Sequence, residues 1–277
     1  MSFKLLALDL DDTLLDEEFK ISSVNRCAIR RAVDHGVLVT LATGRMFRSA
    51  VPHARDLQID LPLITYHGAL IRTVEGEETL YHQPVPIDLA REVAILAESQ
   101  NFHVNAYIND ELFVAEENEF SRYYQNLAKV KVTAVGSLSA YLHTPPTKLT
   151  IVNREGRMEG FKNELIEKYS DRLAITISRP YFLEITDRLA TKGQALKFLA
   201  EMHQIPQAEV AAIGDSYNDL DMLLYAGIGV AVENARDEVK AVANVITKGN
   251  TEHGVAAFIE KYLFQGEGEL CSCMSKK

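Results

Sequence analysis

The segment FKLLALDLDDTLLDE, residues 3–17, constrains the fold most. An aliphatic run breaks off there in three carboxylates, Asp9, Asp11 and Asp12, with Thr13 directly behind them. A short apolar run without polar alternation suits a strand buried on both faces of a parallel sheet. The next segment agrees with that reading. SSVNRCAIRRAVDHG has helical spacing, opens at a serine, ends at Gly36 and leads into a second apolar strand, VLVTLAT. The pattern is strand, helix, strand.

The unit repeats with MFRSAVPHARDLQI as a helix and LPLITYHGALI as a strand broken at Gly68, half of a doubly wound sheet. The character then changes. Helices DLAREVAILAESQ and MEGFKNELIEKYS alternate with strands FHVNAYIN, ELFVAE, TKLTIVN, LAITISR and YFLEIT, which predicts an α+β layer on an antiparallel sheet. After RLATKGQALKFLAEMHQI the first pattern resumes, with EVAAIGD and IGVAV as strands and NDLDMLLYAG and ARDEVKAVAN as helices. The fold class expected is α/β. A doubly wound parallel-sheet core, residues 1–83 and 189–264, is interrupted by an inserted α+β domain, residues 84–188. Residues 265–277 read as a disordered tail, so the C-x-C pair Cys271 and Cys273 is taken as part of a frayed end rather than a metal site.

Composition excludes several function classes. Of 277 residues, 47% are apolar and 25% charged, the balance of a globular protein. The formal net charge is -10 with no basic stripe, which disfavours nucleic acid as a partner. No apolar run is long enough to span a bilayer, and the first residues turn acidic too early for a signal peptide, so a cytoplasmic location is the expectation.

Ligands of open α/β sheets bind outside the carboxyl ends of the strands. Those ends supply Asp9 and Asp11, then Thr43-Gly44-Arg45, then His67-Gly68, then Gly214-Asp215 with Asn218 and Asp219. Carboxylates crowded into such a crevice need a cation between them or a shared proton. Mg²⁺ fits, held by Asp9, an oxygen of Asp11, and Asp215. Asp9 is then the candidate nucleophile towards phosphorus, and Asp11, two residues on, the acid/base that serves the leaving oxygen and the water. Thr43, the Gly44 amide, Lys192 and Asn218 are suitable donors to a phosphoryl group. No Gly-x-Ser-x-Gly elbow and no well-placed cysteine supports another nucleophile.

Plainer readings stand beside these. Asp12 and Asp16 suit a turn and a helix entry better than a ligand set. On spacing alone Lys192 is a solvated lysine opening a helix. Arg45 is equally a surface arginine or a substrate contact, and His67 equally a satisfied polar residue or a contributor to the site.

Four motifs in order, DLDDT, ATGR, TKG and GDSYND, resemble those of the haloacid dehalogenase superfamily of phosphohydrolases. The resemblance extends to about Phe264, and the large insertion with GDSYND followed by DMLLYAGIGVAVENA looks like the Cof-type subfamily, whose members carry a mixed α/β cap labelled C2B. It implies a Rossmann-like core and a Mg²⁺-dependent phosphatase of small phosphorylated metabolites, such as sugar phosphates or phosphorylated cofactors, working through an aspartyl-phosphate. It also implies that Asp9 is nucleophile and ligand, and that Asp11 is acid/base and a ligand through its carbonyl. Asp215 would be the third ligand, and Asp219 a nearby acid orienting the metal's waters or Lys192. Phosphate would meet the Leu10 amide, Thr43, Gly44, Lys192 and Asn218. An acid at position 11 argues against dehalogenation. Many relatives have Gly where this chain has Asp12, and NGA where it has His67-Gly68-Ala69.

Two alternatives remain open on sequence grounds. A phosphosugar mutase uses the same core, and a receiver-like signalling domain uses a similar acid set as a phospho-acceptor. The length, the insertion and a nucleophile on the first strand weigh against the receiver. The sequence sets no oligomeric state.

Overall fold

The computed structural model describes residues 3–153, 156–179 and 181–264. Cys271, Cys273 and the expected tail therefore lie outside the described residues. In chain order the elements are β1 (Leu5–Leu8), α1 (Ser23–Asp34), β2 (Leu38–Leu41), α2 (Phe47–Leu57), β3 (Leu63–Thr65), β4 (Leu70–Arg72) and β5 (Thr79–His82). They continue with α3 (Ile87–Ser99), β6 (His103–Ile108), β7 (Glu111–Val114), α4 (Glu119–Ala128), β8 (Val132–Ala134), α5 (Leu138–Tyr141), β9 (Lys148–Val152), α6 (Met158–Tyr169), β10 (Leu173–Arg179) and β11 (Phe182–Asp187). The last are α7 (Lys192–Met202), β12 (Val210–Gly214), α8 (Leu220–Tyr225), β13 (Ile228–Ala231), α9 (Asp237–Val242), β14 (Val245–Ile246) and α10 (Gly254–Tyr262).

Two compact units result. The first comprises Met1–Gly44, Ala50–Leu80 and Thr191–Lys277, and the second Arg45–Ser49 and Tyr81–Ala190. In the first, five strands run in the order β14-β13-β12-β1-β2, every pairing parallel. Strand β1 is buried along its whole length, as its unbroken apolar sequence requires. Helix α1 starts where the Ser22 side chain accepts the Asn25 amide and ends at Gly36, at φ 83. It packs on α10 through buried Asn25, whose side-chain oxygen accepts the Ala256 amide.

One expectation is corrected in this unit. LPLITYHGALI is not a further strand of the parallel sheet broken at Gly68. It folds back on itself as an antiparallel pair, β3 with β4, which β5 extends to a three-stranded sheet. Among the described residues, an isolated bridge between Ala42 and Ile64 is what continues the parallel order. The reversal is made by Tyr66, His67 and Gly68 at φ 52, 60 and 98, three successive left-handed residues.

The second unit has six strands in the order β10-β11-β9-β6-β7-β8. The antiparallel layer expected there needs one amendment, because β8 pairs parallel with β7. Alternation sorts its faces. Val104, Ala106, Leu149, Ile151, Leu183 and Ile185 form a core with Leu89, Val93 and Ala97 of α3 and Phe161 and Leu165 of α6. The residues between them, His103, Asn105, Lys148 and Thr150, are buried too. Helix α4 accounts for part of that, since Tyr124 meets Tyr107 edge-on at 5.9 Å and Phe120 lies 5.8 Å from His103.

Candidate active site

Register brings the acids together. Leu8 at the end of β1 pairs with Leu41 of β2 and with Ile213 of β12. Asp9, Thr43 and Asp215 therefore leave the sheet at nearly one level. The Asp9 amide donates to the Ile213 carbonyl at 3.0 Å and the Ala42 amide to that of Leu8 at 2.8 Å. With β2 on one side of β1 and β12 on the other, β1 is where the winding reverses, the place at which open sheets form ligand crevices.

Into this crevice the chain delivers Lys192. The Thr191 side chain caps α7 by accepting the Gln194 amide, which fixes Lys192 as the first helical residue. Its ammonium donates to Asp9 Oδ1 at 2.6 Å and to Asp219 Oδ1 at 2.5 Å. Lys192 is fully buried, so the solvated reading is overturned: its charge is held by two carboxylates instead of water. The second Asp219 oxygen accepts the Asp215 and Ser216 amides, each at 3.0 Å. Such close tucking needs Gly214, where a Cβ would stand 2.5 Å from the Asp219 carboxyl carbon. Asp215 is oriented by Thr13, whose hydroxyl donates to its Oδ1 at 3.0 Å. Sequence reasoning gave Thr13 no role. The signal was its place directly behind the acids in DLDDT, but only the fold carries it across to Asp215.

Charge is unbalanced here. Burial pushes the Asp9 carboxyl well up; Lys192 opposes the shift, while Asp219 and Asp215 add to it. Burial, with Asp219 next, raises Asp215 to about 7. Burial works against the Lys192 ammonium, but Asp219 and Asp9 outweigh it and hold its pKa above the ordinary lysine value. Three carboxylates thus share one lysine. Asp9, Asp215 and Asp219 can each offer one oxygen, all within 4.8 Å of one another. Such an all-oxygen set fits a hard divalent cation. Because Asp219 already serves Lys192 and two amides, Asp9 and Asp215 are the better placed to hold it.

The other candidates occupy varied surroundings. Leu10 is buried, and its carbonyl accepts the Leu14 and Leu15 amides, coiling the chain after β1. Asp11 is half-buried on that coil. Asp12 is exposed at φ 58, with its carbonyl accepting Asn234 Nδ2, a turn residue. The Asp16 carboxylate accepts the Glu18 and Lys20 amides, so it shapes a turn, while helix entry falls to Ser22. Thr43 is buried, its amide on the Ile64 carbonyl and its carbonyl on the His67 amide. Asn218 lies 3.0 Å from His67 Nδ1. Arg45 belongs to the second unit, in the segment where Arg48 meets the Asp110 carboxylate.

Residues 6–259 match the haloacid dehalogenase-like hydrolase family. The chain belongs to that family. It is an enzyme, a haloacid dehalogenase-type phosphatase. It is similar to the 5-amino-6-(5-phospho-D-ribitylamino)uracil phosphatase YitU of Bacillus subtilis, 30% identical over 262 residues that cover 93% of this chain and 97% of the relative. Among solved structures it resembles a haloacid dehalogenase-like hydrolase from Bacteroides thetaiotaomicron, with TM-score 0.86, 31% identity and 94% and 99% of the two chains covered. It also resembles the subclass IIB sugar phosphatase BT4131, with TM-score 0.82 and 25% identity over 94% of this chain and 98% of that one. Membership of a hydrolase family sets aside the receiver-like alternative. No helix among the described residues is long and apolar enough to cross a membrane.

Proposed function

We propose that this phosphatase is Mg²⁺-dependent and hydrolyses small phosphorylated metabolites, sugar phosphates or phosphorylated cofactors, through an aspartyl-phosphate on Asp9. The observation that carries the reading is the buried ammonium of Lys192 between Asp9 and Asp219, beside an Asp215 held by Thr13. A nucleophilic carboxylate needs a fixed direction and partial neutralisation next to an incoming dianion, and Lys192 provides both. The YitU and BT4131 names, a phosphoribityl compound and sugar phosphates, support the substrate class.

The Asp9 oxygen attacks phosphorus, and the bond from phosphorus to the leaving oxygen breaks as Asp11 gives that oxygen its proton. Asp11, now a carboxylate, takes a proton from water as the water oxygen attacks the same phosphorus. Inorganic phosphate leaves and Asp9 is restored. Thr43, the amides of Gly44 and Leu10, Asn218 and Lys192 receive the charge that spreads over the phosphoryl oxygens. Bound by Asp9, Asp215 and the Asp11 carbonyl, Mg²⁺ would supply further compensation of that charge. The second unit is proposed to choose the leaving group.

Hydrolysis of p-nitrophenyl phosphate tests the reading. Turnover should require added Mg²⁺, cease with a chelator and be abolished in Asp9→Asn with the fold intact. Undiminished hydrolysis by that variant would sink the mechanism.

A further inference from the structure

The His67 ring has specific surroundings. Successive left-handed residues Tyr66 and His67, at φ 52 and 60, hold it in a conformation that residues other than glycine seldom adopt. A Cβ on Gly44 would lie 2.3–2.9 Å from three of the ring atoms, so the imidazole occupies the volume that glycine leaves. On another side, Nδ1 is 3.0 Å from the side-chain amide of Asn218. The other end of that amide, its Oδ1, is buried and has no partner among the described residues.

An amide exchanges its oxygen and nitrogen by a half-turn about its last torsion, so this pair has two arrangements. With nitrogen towards His67, the end left for the phosphoryl contact proposed above would be the carbonyl oxygen, an acceptor facing acceptors. With oxygen towards His67, that end would be the NH₂ group, which a phosphoryl oxygen would satisfy. The second arrangement requires His67 to donate from Nδ1. Resting on the phosphatase reading above, we propose that His67 is a positioning residue. Its Nδ1–H takes the Asn218 carbonyl and so turns the amide's donor end towards the phosphoryl group, while its ring, seated on Gly44, keeps the two strand-end loops in step. His67 acts on substrate through Asn218.

Nitrogen-15 spectra of the imidazole in alkaline buffer, where histidine is neutral, read the tautomer without any need for turnover. A proton on Nδ1 is expected. A bare Nδ1 with the proton on Nε2 overturns the proposal even if the enzyme is a phosphatase, whereas a wild type that releases no phosphate would sink the reading beneath it instead. Kinetics with p-nitrophenyl phosphate supply the second arm. His67→Leu keeps bulk and loses the donor, so KM should rise about ten-fold with kcat less affected and Tm unchanged. His67→Asn, which can donate and accepts a left-handed backbone, should restore most of the loss. Wild-type KM in His67→Leu would contradict the positioning role. Gly44→Ala should cost much more in the wild-type background than in His67→Ala, where the ring is gone. Equal costs in the two backgrounds would refute the seating on Gly44.

Discussion

A single buried lysine organises the acids of this site, and its removal separates structure from chemistry. Lys192→Met leaves Asp219 buried without a counter-charge, a change that costs about 3–5 kcal/mol in comparable buried pairs. Urea unfolding of the metal-free protein should show a loss of that order, and phosphate release should fall with it. Thr13→Val is the complementary case. The volume stays and the hydroxyl on Asp215 goes, so metal affinity should drop ~10–100-fold, read by titrating Mg²⁺ into the activity assay, with little change in fold stability. Sequence reasoning reached Asp9 and Asp215 because acids at strand ends announce themselves. It named Lys192 as a phosphoryl donor, although spacing alone suggested a solvated lysine, and it passed over Thr13, whose partner 202 residues away is created only by the register of β1 with β12.

Among the elements, those whose periodicity is strong are legible in the sequence: β1, α1, β2 and β12 fall within their expected segments. The β3–β4 reversal was not, because nothing but consecutive left-handed torsions distinguishes a strand interrupted at Gly68 from a hairpin. Helix α4 was missed as well, although Asn118 caps it by accepting the Phe120 and Ser121 amides. That helix helps bury His103, whose Nε2 pairs with Asn105 and Nδ1 with Asn118. Burial lowers the His103 pKa below the ordinary 6.5, with Asn105 and Glu116 only partly offsetting it. The unfolded chain therefore takes the proton first, and stability should fall as pH drops below about 6.5. His103→Gln should flatten that acid limb in urea midpoints measured across the range. An unchanged limb would place the sensitive group elsewhere.

At the scale of the whole molecule, stability and the proposed metal binding would be linked through the same carboxylates. Asp215, at about 7, lies above the ordinary carboxylate value of 3.8. The metal-free fold thus holds a proton that the unfolded chain has released, and it loses that stabilisation as pH rises through about 7. A divalent cation bound there would replace the proton. Thermal shifts on adding Mg²⁺ should accordingly be small in acid and grow as pH passes through about 7, and a pH-independent shift would contradict binding at Asp215. The proposed catalysis passes through a phosphorylated Asp9. Acid quenching during turnover of a ³²P-labelled phosphoester, followed by peptide mapping, tests it most directly. Label on the peptide bearing Asp9, absent from Asp9→Asn, is the result expected; label on any other residue, or its persistence in that variant, would contradict the mechanism.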